Sequence, residues 1–367
     1  MNLKVYLLMF LTTILSFTSF GQTEDSWRLF WNNDTTLIGY KDKSGLVKIA
    51  PKFSGFTTAN RFDHIIAATE EHNGIWSSYY LTKHGRMVGS DSLYIFDNGA
   101  DCESEGFIRF RDAKTDKVGL FNRNGEIAIP AVYSALTNVR NGMIAGLKDA
   151  KKEYWSDHNE DGCNHYSWVG GQEVLIDTLN NLLVADFSYD NPLDFFSIEK
   201  TNAPNPDKMR KSFLANDGLY YAFVDFEKEF KQWITRIVAD NLTLEKLNDI
   251  SYDTITWESK EGWAKTNKEK LIKDNFALLK NGLAEILLPN TDYFISSDGL
   301  NPFMYDGPEF EQYFNNCGEA KDWKYPTMSI VVSHRVKKDF TQNHYEFLRT
   351  DQGYKLISLT IRNAKIK

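Results

Sequence analysis

From residue 25 to about residue 200 the chain runs in short stretches of alternating apolar and polar residues, broken by Gly, Asn and Asp. A two-residue period with turn residues at the breaks predicts β-hairpins. Several stretches repeat one pattern. Ile38-Gly39-Tyr40, the turn ending at Gly45, alternation to Ile49 and then Pro51 before Phe53 make the first. Val118-Gly119-Leu120, the turn at Gly125, Ile127-Ala128-Ile129 and Pro130 before Tyr133 follow the same order. A degenerate copy, Tyr79 to Val88 around Gly85, lies between them. The turn glycines Gly45, Gly85 and Gly125 are thus evenly spaced, 40 residues apart. In a fainter fourth copy, Val174 to Val184, Asn180 and Asn181 stand where the turn Gly stood, and Asn is the next-best residue for a left-handed turn position. Each copy predicts two strands, a tight turn, a loop and a third strand. One such unit cannot cover its own apolar face, so neighbouring units are expected to stack.

These residues resemble the WG repeat family of bacterial proteins, whose units read aromatic-Gly-aromatic-apolar-Asp-x-x-Gly-x-apolar-x-apolar-Pro. The first and third copies carry the resemblance. The name-giving dipeptide is replaced here by Ile38-Gly39 and Val118-Gly119. The resemblance covers about 160 residues of the 367 and implies an all-β repeat array used for interaction or binding, with no common reaction.

Past residue 200 the period changes. Residues 201–209, with Pro204 and Pro206 among small polar residues, read as a linker. Phe226, Phe230, Trp233, Ile234 and Ile237 then fall on one stripe of an amphipathic helix. A second helix is expected to start at a capping box, Thr266-x-x-Glu269, and to stop at Gly282, burying Leu271, Ile272, Phe276 and Leu279. Strands at 328–336, 345–349 and 354–361 close the chain as an antiparallel sheet. The expected class is mainly β with an α+β C-terminal domain: a β-hairpin repeat array, then helices and sheet. The phrase from Tyr345 to Leu359 resembles the last hairpin of the nuclear-transport-factor-two-like, or cystatin-like, cone folds. That resemblance implies a cone-shaped pocket between sheet and helices, used for binding more often than for catalysis.

The N-terminus adds an address. Lys4, an apolar run from Val5 to Phe17, and small residues up to Gly21 have the order of a secretory signal, and the run is too short to span a bilayer readily. The expected divisions are a signal peptide at 1–21, a β-repeat domain of about four repeats at 22–200, the linker at 201–209, and the α+β domain at 210–367. No second segment is long and apolar enough to cross a membrane. Losing Lys4 with the signal takes the formal charge from −8 to −9, a surface that repels nucleic acid and anionic membranes. The expected location is the periplasm or the medium.

Candidate chemistry is sparse. Asp157-His158-Asn159-Glu160-Asp161-Gly162 matches the start of a calcium loop, with Asp157, Asn159 and Asp161 as oxygen ligands, but Trp168 stands where a bidentate Glu closes such a loop. A solvated acidic turn is the alternative. A softer metal held by His158, Cys163 and His165 suits the ligand types and matches no standard zinc spacing. No other cofactor is expected. The three cysteines, Cys102, Cys163 and Cys317, read as isolated thiols or as a Cys102–Cys163 bridge with one thiol left over. His334, in an apolar strand, reads as a pocket-lining acid or base or as an ordinary strand histidine. No nucleophile elbow, phosphate loop or zinc-protease helix is present. The expected function is therefore a non-enzymatic protein of the bacterial cell envelope with a protein or glycan partner. The alternative is an enzyme or small-ligand binder using a C-terminal pocket.

Overall fold

The computed structural model describes residues 25–96, 99–155, 165–189, 192–336 and 339–366. The expected signal peptide lies outside the described residues. So do Asp157, Asn159 and Asp161, together with His158 and Cys163. The protein is mainly β, 48% strand against 14% helix, and includes a curled antiparallel half-barrel sheet.

The first part of the chain is laid down as three-stranded antiparallel units. Trp27–Trp31, Ile38–Lys41 and Val47–Phe53 form the first; Ile65–His72, Ile75–Thr82 and Met87–Val88 the second. The pairing of Phe53 with Glu70 joins these two, and Arg61–Phe62 on the outer edge of Trp27–Trp31 makes the sheet seven-stranded. Phe107–Arg111, Val118–Asn122 and Ile127–Tyr133 form the third; Met143–Lys148, Gln172–Asp177 and Leu182–Val184 the fourth. A fifth unit has Tyr220–Asp225 between Leu193–Thr201 and Arg210–Leu214.

Five turns share one hydrogen-bond pattern. In the first, Gly45 N donates to Asp42 O and Asp42 N to Leu46 O, each at 3.0 Å. The same two bonds recur around Gly85, Gly125, Asn180 and Gly218. All five residues have a positive φ, between 64° and 88°. In three of the turns the acidic or amide side chain at the first position accepts two backbone N–H groups. Asp42 Oδ1 takes those of Ser44 and Leu46, Asn122 Oδ1 those of Asn124 and Glu126, and Asp177 Oδ1 those of Leu179 and Asn181. This is the physical content of Asp/Asn-x-x-Gly: the side chain satisfies amides that the ladder leaves unpaired.

The fifth turn, Ala215-Asn216-Asp217-Gly218, carries the pattern past residues 201–209. Those residues connect Leu193–Thr201 to Arg210–Leu214, the two outer strands of one three-stranded sheet. Helix begins only at Asp225, which caps α1 (Phe226–Ala239) by accepting from Lys228 N. Each unit covers its neighbour. Phe187, Leu193 and Phe195 pack with Leu175 behind them and Phe213 and Phe223 ahead, all buried.

Beyond α1, a short helix α2 (Leu244–Asp249) and the strands Ser251–Ser259 and Gly262–Asn267 precede α3 (Lys268–Ala284). Strands Asp292–Asp298, Thr327–Val336, Asp339–Thr350 and Gly353–Thr360 complete a six-stranded sheet. That sheet is not wholly antiparallel, because Ser251–Ser259 runs parallel to Gly353–Thr360. The expected capping box is also corrected. Asn267 caps α3 through Glu269 N, while the Thr266 hydroxyl accepts from Trp257 Nε1. Nor does Gly282 end the helix. It lies inside, where a Cβ would collide with the Tyr345 hydroxyl. Phe276 is only partly buried, and Leu283 takes a place in the core instead.

A long excursion, 299–326, leaves the sheet between its third and fourth strands in chain order and folds back over the face opposite the helices. Leu300, Tyr305, Phe310, Tyr313, Phe314 and Tyr325 pack there on Leu348 and Ile357. This strap also reaches the first units. Cys317 forms a disulfide with Cys102 across a sequence separation of 215, with Cα atoms 6.1 Å apart. Both readings of Cys102, as an isolated thiol and as a partner of Cys163, are thereby corrected. Arg61 N donates to Asn316 O, and Asn60 Nδ2 to Cys317 O, both at 2.9 Å.

Candidate functional site

The C-terminal half was expected to hold a pocket between helices and sheet. That space is filled. Phe226, Phe230 and Ile234 from α1 and Leu271, Ile272, Leu279 and Leu283 from α3 meet Met328, Ile330, Phe347 and Leu356 of the sheet, all buried. Among the polar groups at its edge, His334 Nε2 lies 2.8 Å from Glu285 Oε2 and ties the sheet to the short turn of helix Glu285–Leu287. The structure thus gives His334 a tethering contact.

The concave surfaces lie outside this core. One cleft, about 630 Å³, opens between the first unit and the strap. Such volumes fall in the range of small-molecule sites, about 300–1,000 Å³. Its wall carries Arg28 and Arg61, which share Glu311 Oε1 at 2.6 and 3.4 Å. Arg28, with Arg61 behind it, holds the Glu311 carboxyl below the usual carboxylate range against the opposing effect of burial. Pro302, Pro308 and a fully projecting Phe303, 93% exposed, line the other side. The Cys102–Cys317 bridge fixes the floor, because Cys317 lines this cleft too.

A second cleft, about 580 Å³, sits where the strap meets the strand Ser251–Ser259. Tyr252 stacks on Phe310 with ring centroids 5.1 Å apart. Burial, and then its neighbour Tyr313, push the Tyr252 hydroxyl well above the usual tyrosine range. Lys268 and Lys355 stand on one rim with Asp253, Glu309 and Asp351 around them. Lys268 is held by Asp253 at 3.0 Å, and Lys355 by the Asp249 carbonyl. Asp351 accepts from the Tyr325 hydroxyl at 3.0 Å.

The third concavity is a shelf on the first two units, lined by Thr36, Leu37, Ser54, Gly55, Phe56, Glu71 and Trp76. Its rings are in the open, Phe56 at 65% and Trp76 at 53% exposure. Phe56 and Trp76 meet edge to face at 5.7 Å.

Of the residues expected to hold a metal, His165 alone is described, and its ring stacks on Trp155 at 5.7 Å. Among the described residues no three His, Cys, Asp or Glu side chains are grouped to hold an ion, and no helix is long and apolar enough to cross a membrane. Sequence reading missed Arg28, Arg61 and Glu311, which come together across about 250–280 positions. It also missed Phe56 and Trp76. The available signal was their placement beside turn residues, Ser54-Gly55 and Asn73-Gly74, where a core aromatic is unexpected. No protein-family model matches the chain, and neither does any curated protein or solved structure.

Proposed function

We propose that this chain is an exported, non-enzymatic binding protein of the bacterial cell envelope, with a WG-like repeat array as its partner-binding half. The observation that carries this reading is the contrast between a filled core and an open aromatic surface. The space where the C-terminal half would hold a reaction is packed with apolar side chains. Large rings stand exposed on the strand units instead, among them Trp31, Phe56, Trp76, Tyr154 and Trp155. Exposed apolar clusters on folded proteins mark interaction sites. The five turns with one hydrogen-bond pattern support the repeat reading. Helices against one face of a curled sheet support the α+β, cone-like reading of the C-terminal half, with its interior filled. The sequence at 1–21 supports export.

The test is co-sedimentation of the purified chain with isolated bacterial cell envelopes. Saturable binding that survives washing is expected. A chain that stays in the supernatant at all concentrations would overturn the proposal. The cleft at Tyr252 and Phe310 favours a second reading, small-ligand binding by the C-terminal half, placed outside the cone rather than within it.

A further inference from the structure

We infer that the shelf around Phe56 and Trp76 binds a glycan chain of uncharged, gluco-configured pyranose rings; this rests on the binding reading above and names the chemistry of the partner. The shelf is built by local geometry. Trp76 opens the strand Ile75–Thr82 and stands directly across the hairpin from Glu71. Phe56 sits on the turn after Val47–Phe53, where its N–H is held by Ser54 Oγ. Trp31 ends the first strand, 44% exposed, and lies over Gly55, where an added Cβ would stand 3.6 Å from the indole edge. Two large rings, Phe56 and Trp76, therefore line a cleft of about 580 Å³, and Trp31 stands beside it at Gly55.

Rings in this position were not recruited to the core. Burying a Phe side chain is worth roughly 1.5–3 kcal/mol, which these positions forgo. Their chemistry selects an occupant. An aromatic face carries a negative quadrupole and attracts weakly positive C–H groups. A gluco-configured pyranose presents axial C–H bonds on both faces and hydroxyls around its rim. The Phe56 and Trp76 planes meet at 72°, so one ring makes a floor and the other a wall.

Glu71 supplies the polar complement. It is exposed, and among the described residues no hydrogen bond or ion pair engages its carboxylate. A free carboxylate accepts several hydroxyl donors at once. A flat apolar protein surface laid on Trp76 would strip water from that carboxylate without a partner, at substantial cost; a sugar rim would not. Charge narrows the choice further. The nearby ammonium of Lys52 is held by Glu70 at 2.8 Å. With a formal charge of −8 for the whole chain, an acidic polymer is disfavoured.

The experiment titrates the full chain with cellohexaose and with chitohexaose, following tryptophan fluorescence and binding heat. Saturable binding of at least one is expected. Trp76→Ala should weaken it about tenfold and Glu71→Gln severalfold, with thermal unfolding unchanged in both. Phe303→Ala, which removes a still more exposed ring from the strap, should change nothing. Polygalacturonate should not compete. If neither oligosaccharide binds, or if Trp76→Ala and Phe303→Ala weaken binding alike, the inference is overturned. Envelope co-sedimentation that persists without oligosaccharide binding would overturn it in favour of a protein partner while leaving the proposed function standing.

Discussion

Gly39 and Gly119 stand 80 residues apart in closely similar surroundings. A Cβ on Gly119 would meet Ile129 O at 2.5 Å, Ala131 N at 2.8 Å and the Phe110 ring at 2.8 Å. On Gly39 it would meet Ile49 O, Pro51 N and the Phe30 ring at 2.6 to 3.0 Å. In both places the ladder shifts register opposite the glycine, and a proline, Pro51 or Pro130, lies in the shifted stretch. Proline lacks the N–H that a regular ladder requires and is tolerated at such a bulge. The apolar-Gly-apolar and Pro elements of the sequence pattern are thus two sides of one contact. Gly45 is different: its φ is +88° and open space surrounds it. Gly119→Ala should cost about 2–3 kcal/mol by overpacking, and Gly45→Ala about 1–2 kcal/mol from the left-handed backbone. Guanidinium unfolding of the two variants measures this; equal midpoints would refute the distinction. These positions were legible in the sequence because each acts within one hairpin. That Phe110 lies over Gly119 was not, since it arrives from a preceding strand.

Between elements, the decisive contacts cross from strands to helices. Arg349 lies near the end of Asp339–Thr350, in the C-terminal sheet. It pairs with Asp194 at 2.9 Å, reaches Glu229 of α1 at 3.2 Å, donates to the Lys324 carbonyl of the strap and lies over the Phe226 ring. The Asp194 side chain is almost wholly buried, and burial pushes its carboxyl above the usual range even against Arg349. Removing one partner of a buried ion pair leaves an uncompensated charge, worth about 3–5 kcal/mol. Arg349→Met should destabilise the chain by that amount, and adding Asp194→Asn should recover a substantial part of the loss. A thermal double-mutant cycle checks this; additive losses would show the pair uncoupled. At this scale the sequence revealed α1, whose stripe is strong. It misplaced the start of α3, because Thr266 and Asn267 both have capping chemistry and the Thr266 hydroxyl is taken by Trp257 Nε1. The fifth hairpin escaped notice because its turn, at Gly218, breaks the 40-residue spacing and lies past the two prolines.

Over the whole molecule, one strap and one disulfide hold the first units against the last sheet. The bridge closes a loop of 215 residues, and loops of that length are stabilised by about 2–5 kcal/mol when closed covalently. Cys317→Ser should lower the melting temperature, and unmutated protein in reductant should unfold at the same temperature as the variant. Unchanged melting in both would mean that the contacts of Asn60, Arg61 and Glu311 suffice. None of this was readable from spacing. The three cysteines have no motif, and which two meet depends on where the excursion 299–326 travels after the sheet has formed.

The bridge also changes what it means to cut this chain. Any single break between residues 103 and 316 produces two pieces that remain one covalent molecule, because both stay attached through Cys102 and Cys317. Breaks in the turns of the third to fifth units, or in the segment 156–164, all fall within that span. Fragments severed there cannot drift apart, so the assembled body outlasts the integrity of its own backbone.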